Sequence, residues 1–145
     1  LNYWDTSTLL KLYVREADSD YFIELVNNSS SPLLVSDLAR VELDTSLHRK
    51  GTLGELEKSL ADAYFQEFSK AIAAGRVVTV PLNDAVIVEA RQIIRHTYSL
   101  SKPMMIRSLD VIHVASALVS KASTIVATDT RLREVAALMG LQVIP

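Results

Sequence analysis

"TIVATDTRLREVAALMGLQVI", residues 124–144, reads as one complete unit of a parallel sheet. Thr124–Thr128 is a short run of β-branched and apolar residues that suits a strand, and Asp129 stands at its end. Arg131–Met139 repeats its apolar positions at helical spacing, and Gly140 falls where a helix closes on a left-handed C′ residue. Gln142–Ile144 then supplies a second strand. The same alternation runs through the rest of the chain. Asn2–Trp4, Leu33–Val35 and Val77–Val80 read as strands. Thr8–Val14, Ser19–Asn27, Asp37–Lys50, Leu53–Ala74, Asp84–Tyr98 and Leu109–Lys121 read as amphipathic helices.

Strands that alternate with helices imply a mostly parallel sheet covered on both faces. The expectation is a single domain over residues 1–145, an α/β fold built as a three-layer α/β/α sandwich on five strands. Local signals set the helix ends. Ser36 and Asn83 read as N-caps, and Thr52 with Glu55 reads as a capping box opening the fourth helix. "NNSSSP" (27–32) and "SLSKPMMIRS" (99–108) read as loops.

Composition narrows the class. A chain of 145 residues is long enough to bury a proper core. Nearly half of it is apolar (49%), yet no run approaches the roughly 20 residues a membrane span needs. No secretory signal pattern is visible, and the chain starts on Leu rather than Met, as one trimmed by a residue or more would. With no cysteine there is neither a disulfide frame nor a thiolate ligand or nucleophile, which suits a reducing cytoplasm. A net charge of −2 argues against holding nucleic acid by bulk positive charge. It leaves room for a nuclease whose acids bind cations.

Four acids stand out. In an open parallel sheet, ligands bind beyond the carboxyl ends of the strands. Asp5 closes "NYWD" and Asp129 closes "TIVATD", so two parallel neighbours would deliver both carboxylates to one rim. Either acid would also serve as an ordinary N-cap for the helix that follows. Asp110, in "SLDVIHVASALVSK", lies at the border of a nearly continuous apolar arc, in a first turn where the helix dipole also favours an acid.

Glu42 is the odd one. On the wheel of "SDLARVELDTSLHRK" (36–50), Asp37, Arg40, Asp44 and His48 share one arc, and Leu38, Ala39, Val41, Leu43 and Leu47 the other. Glu42 falls in the middle of the apolar arc, where an unpartnered carboxylate costs several kcal/mol. Either it pairs with a base such as Arg49, or it faces a cation. If the four acids converge, they form an oxygen-rich pocket that cannot stay ionised without a counter-ion. Mg²⁺ or Mn²⁺ prefers that donor set.

At these positions the chain resembles the PIN-domain ribonucleases, and most closely their VapC toxin branch. The resemblance rests on "DTSTLLKLY" after the first strand, "ARVEL", "LDVIHVASAL" and "ATDTRL", in this order, and it runs from residue 2 almost to the C-terminus. It implies a strand order of 3-2-1-4-5 and a metal-dependent endoribonuclease acting on RNA with one or two Mg²⁺ or Mn²⁺ ions. It also implies a homodimer and, in the toxin branch, a cognate antitoxin protein that blocks the site. Asp5, Glu42, Asp110 and Asp129 take the places of the family's catalytic, metal-holding acids. Ser7 and Thr128 take those of supporting hydroxyls.

Other residues read as structural. His113 shares a polar edge with Ser116 and Ser120, and Tyr3 and Trp4 belong to the core. Lys102, Arg107 and Arg131 are either phosphate contacts or solvated charge. Met104–Ile106, and the helix bearing Leu56, Leu60, Tyr64, Phe65, Phe68 and Ile72, are candidate partner surfaces.

Rival classes on a similar sheet fail on residues. A haloacid-dehalogenase-type enzyme needs an acid where Ser7 stands, and a receiver domain needs a phosphoacceptor acid after the third strand, which ends "VTVPLN". A PIN nuclease of RNA processing outside any toxin pair and a non-catalytic PIN-like binding module are the remaining alternatives.

Overall fold

Five short strands form one fully parallel sheet in the computed structural model, which describes all residues from Leu1 to Pro145. The elements run β1 (Asn2–Trp4), α1 (Thr6–Leu10), α2 (Ser19–Asn27), β2 (Leu33–Ser36), α3 (Ala39–Thr52), α4 (Lys58–Ala73), β3 (Val77–Val80), α5 (Asp84–Ser99), α6 (Ser108–Val119), β4 (Thr124–Val126), α7 (Thr130–Leu138) and β5 (Gln142–Ile144). The strand order is β3-β2-β1-β4-β5, as the resemblance implies. The order reverses between β1 and β4, and such a switch point opens a crevice at the carboxyl ends of the strands. Tyr3 aligns with Leu34 on one side and Ile125 on the other, so three neighbouring strands stop at nearly the same height.

Successive strand residues point to opposite faces, and here both faces are dry. Tyr3, Leu34 and Ile125 enter one core with Val86, Ile93, Val114, Leu132 and Val135, from α5, α6 and α7. Trp4, Val35 and Val126 enter the other with Leu9, Phe22, Leu43, Leu47 and Phe68, from α1 to α4. Two covered faces explain why these strands read as unbroken apolar runs. No helix is long and apolar enough to cross a membrane.

The local expectations need four corrections. Ser36 ends β2 rather than capping α3; its hydroxyl accepts from the amide of Leu38 (3.2 Å) and steers the chain into the helix that starts three residues later. Thr52 and Glu55 do not open α4. Thr52 is the last residue of α3, where its hydroxyl donates to the carbonyl of His48, while Glu55 pairs with Lys50. Helix α4 starts only at Lys58. Val41, placed on the apolar arc of α3, is 67% exposed. By contrast, Asn83 caps α5 by accepting from the amide of Val86, and Gly140 takes the positive φ (86°) that closes α7.

Two candidate partner surfaces belong largely to the fold itself. Phe68 is fully buried, with Leu56, Tyr64, Phe65 and Ile72 packed around the same core. Met104 and Ile106 pack on the other core, which leaves Met105 as the exposed member of its group.

Candidate active site

Asp5 follows β1 directly, and its amide continues the sheet by donating to the carbonyl of Val126 (3.0 Å). The carboxylate is buried and caps α1: its Oδ2 accepts from both the amide (3.3 Å) and the hydroxyl of Ser7. Thr8 pins the same turn, its hydroxyl donating to the carbonyls of Asp5 and Val126 (2.9 and 3.0 Å). A five-residue helix is too short to hold its own position. These side-chain bonds fix α1, and with it the aim of Asp5.

Glu42 enters from the first turn of α3 and meets the imidazole of His113. His113 Nε2 lies 2.7 Å from Glu42 Oε1, and the Thr6 hydroxyl donates to the same oxygen at 3.0 Å. His113 is almost fully buried (1% exposed) on α6. Its Nδ1 pairs with the Tyr3 hydroxyl (2.8 Å), and the Tyr3 ring meets the imidazole edge-on. Glu42 therefore faces a histidine rather than Arg49, and His113 points inward instead of lying on a polar edge.

The wheel misleads here because α6 is buried on more than one side. Asp110, His113 and Ser116 are all inside. Ser116 Oγ is a buried hydroxyl without a hydrogen-bond partner.

Asp110 and Asp129 are joined by a residue from the loop before α6. Arg107 donates from Nε to Asp110 Oδ2 (2.6 Å) and from Nη2 to Asp129 Oδ2 (2.9 Å). Asp129 caps α7, its Oδ1 accepting from the amide of Leu132 (3.0 Å). Thr128 lies 3.5 Å from Ser7, hydroxyl to hydroxyl, so the two hydroxyl residues meet across β1 and β4.

The electrostatics follow from burial and these pairings. Burial pushes Asp5 above the usual carboxylate range, and the nearby Glu42 adds to this. His113 and the Ser7 hydrogen bonds oppose it. Burial would raise Glu42 too, but the hydrogen bond and charge of His113, with Thr6, hold it below its ordinary value. His113 is raised: burial works against its charged form, but the Glu42 hydrogen bond and the charges of Asp5, Glu42 and Asp110 outweigh it. Burial and the neighbouring Asp5 keep Tyr3 a neutral phenol.

The fold thus brings all four acids to one rim. As the side chains stand, no three acids or histidines are arranged to hold a metal ion. An imidazole and a guanidinium take up part of the negative charge instead. Three oxygens are left over, because Asp5 Oδ1, Glu42 Oε2 and Asp110 Oδ1 take part in no hydrogen bond. The nearest cation to Asp5 Oδ1 is His113 Nε2 at 3.8 Å, beyond hydrogen-bond reach. The three are hard oxygens on buried or half-buried acids, the donor type that Mg²⁺ and Mn²⁺ prefer, though the side chains as they stand do not gather them around one point. Asp129 differs, since both its oxygens are engaged.

His113, read from sequence as structural, and Arg107, read as a phosphate contact or solvated charge, are the site residues whose pairing with the acids the sequence does not reveal. The signal for Arg107 was its spacing of three before Asp110; for His113 it was the same spacing after it.

No curated protein sequence matches the chain. Among solved structures, that of FitAcB from Neisseria gonorrhoeae superposes with a TM-score of 0.68 at 16% identity, covering 100% of this chain and 97% of that one. The structure of VapBC2 from Rickettsia felis bound to a DNA fragment from their promoter gives 0.66 at 12% identity, with 98% and 96% covered. At such identities the likeness speaks for the fold. The sequence itself matches the PIN domain over residues 3–138, so the chain belongs to the PIN-domain family.

Proposed function

We propose that this protein is a metal-dependent endoribonuclease that hydrolyses RNA phosphodiester bonds, and that it is the toxin of a VapBC-type toxin–antitoxin pair. Membership of a nuclease family supports hydrolysis of nucleic acid. The observation that carries the catalytic reading is the set of underused oxygens around Asp5, on a rim where two strands end side by side. The likeness to VapBC2 and FitAcB along nearly the whole chain supports the toxin branch and an antitoxin partner.

Asp5, Glu42 and Asp110 would hold Mg²⁺ or Mn²⁺, with Asp129 at the edge. When bound, such an ion supplies a more acidic water and steadies charge on phosphate oxygens. The chain's own residues set the stage for that chemistry. Ser7 ties down Asp5 Oδ2 and so leaves Oδ1 without a hydrogen bond. His113 and Thr6 do the same for Glu42 by occupying Oε1. Tyr3 in turn fixes the imidazole by its hydrogen bond to Nδ1. In-line attack by water predicts products with a 3′-hydroxyl and a 5′-phosphate.

A second reading draws on Arg107 and His113, whose pairing with the acids suits a PIN fold kept as a non-catalytic binding module. One experiment separates the two. Pooled RNA is incubated with the protein and Mn²⁺, with and without chelator, and the new ends are typed. Metal-dependent 5′-phosphate ends support the nuclease. Cyclic 2′,3′-phosphate ends, or no cleavage by a folded protein, contradict it.

A further inference from the structure

We propose that Arg107 is an exchangeable counter-cation: it neutralises Asp110 and Asp129 in the metal-free protein and leaves Asp110 when a divalent ion binds. This rests on the nuclease reading above and deepens it. The guanidinium donates to two acids from different segments, one in the first turn of α6 and one capping α7. It thereby occupies Oδ2 of Asp110, with its own side chain 62% exposed while that of Asp110 is 10% exposed.

A divalent ion on Asp110 would lie within a few ångströms of a fixed positive charge that no deprotonation can remove. Metal and guanidinium therefore compete for the same carboxylate. Arg107 sits in extended backbone just before α6 and makes no capping bond there, so its side chain is tied only by these two acids. His113, the other cation of the site, has no such freedom, being 1% exposed and held at both ring nitrogens.

The released guanidinium, already mostly in water, would swing towards the space beside its own loop. A cavity of about 340 Å³ between the loop and α7 is lined by Lys102, Met104, Met105, Arg131 and Glu134, and Arg131 is two residues from Asp129. Glu134 is the one carboxylate of that lining.

The test uses Mn²⁺ alone, titrated calorimetrically into the full chain, so that no RNA or activity is involved. Arg107→Ala is expected to bind Mn²⁺ about three- to tenfold more tightly than wild type, the discount for solvent exposure included. Arg107→Lys, which keeps the charge but loses the fork, should fall between the two. In wild type, the Arg107 Nε–H resonance should shift on adding Mg²⁺, a signature that needs no variant. Equal or weaker Mn²⁺ binding by Arg107→Ala, or an unmoved Nε–H signal at saturating Mg²⁺, overturns the exchange. Asp5→Asn serves as the control. If it loses Mn²⁺ binding while Arg107→Ala matches wild type, only the exchange fails. If wild type binds no Mn²⁺ at all, the nuclease reading and the exchange fail together.

Discussion

The two ends of the acidic rim solve the same problem differently. At the inner end, Glu42 and Asp5 share His113, which is sealed between β1 and α6 and held by Tyr3. At the outer end, Asp110 and Asp129 share Arg107, whose side chain is mostly in water. A buried charge pair is costly to break, because the partner left behind has nothing to replace it. An exposed pair is worth little, since solvent offers a ready substitute. The inner cation is thus part of the architecture, while the outer one is a contact the protein can give up. The contrast teaches that pairing of acids with protein cations does not argue against a metal site. What matters is which oxygens remain free and which cation can move.

The largest expected effect is on cleavage. Glu42→Gln, which removes charge from an acid with a free oxygen, should lower the rate about a hundredfold or more under Mn²⁺. Asp129→Asn should cost only about tenfold, because both its oxygens already serve the protein and asparagine still caps α7. Equal losses would erase the distinction between the two ends. Next comes stability without metal. His113→Ala strands Glu42 and Tyr3 together, and urea unfolding should show a loss of about 2–4 kcal/mol. Arg107→Ala should cost less, about 1–2 kcal/mol in the same assay, because the guanidinium is mostly in water although it leaves the buried Asp110 without its partner.

The smallest effect concerns an ion cluster away from the rim, where Glu16 bridges Lys11 and Lys50. The Lys11 hydrogen bond, with Lys50, holds Glu16 below its ordinary range despite some burial. A depressed carboxylate adds stability above the unfolded value, and that contribution fades as pH falls below about 4.3. Glu16→Gln should therefore lower stability near neutrality and flatten the acid limb of the pH–stability curve. An unchanged acid limb would show that the cluster is screened.

Much of this was legible in the sequence, and the reasons are physical. Strands buried on both faces leave apolar runs, and the acids that soon follow two parallel neighbours, Asp5 directly after β1 and Asp129 three residues after β4, announce where their carboxylates emerge. Glu42 was legible as an anomaly but its partner was not. A helical wheel assigns each helix one wet side, whereas α6 carries Asp110, His113 and Ser116 inside, so its polar side reads as surface when it is core. Arg107 lies in a loop with no periodicity to read, and its role appears only when α7 brings Asp129 next to α6. The early start given to α4 has a similar origin. Thr52 and Glu55 have the spacing of a capping box, yet Glu55 is drawn to Lys50 and the helix waits until Lys58.

Thermal unfolding of the wild type and of Asp5→Asn, each titrated with Mn²⁺ and then with chelator, tests the central claim most directly. An ion that binds only the folded state adds about 2.7 kcal/mol at a hundredfold excess over its dissociation constant. The account predicts a rise in Tm for wild type that chelator reverses, and none for Asp5→Asn. A wild type that does not respond, or a variant that responds equally, would mean that the free oxygens around Asp5 are not a metal site.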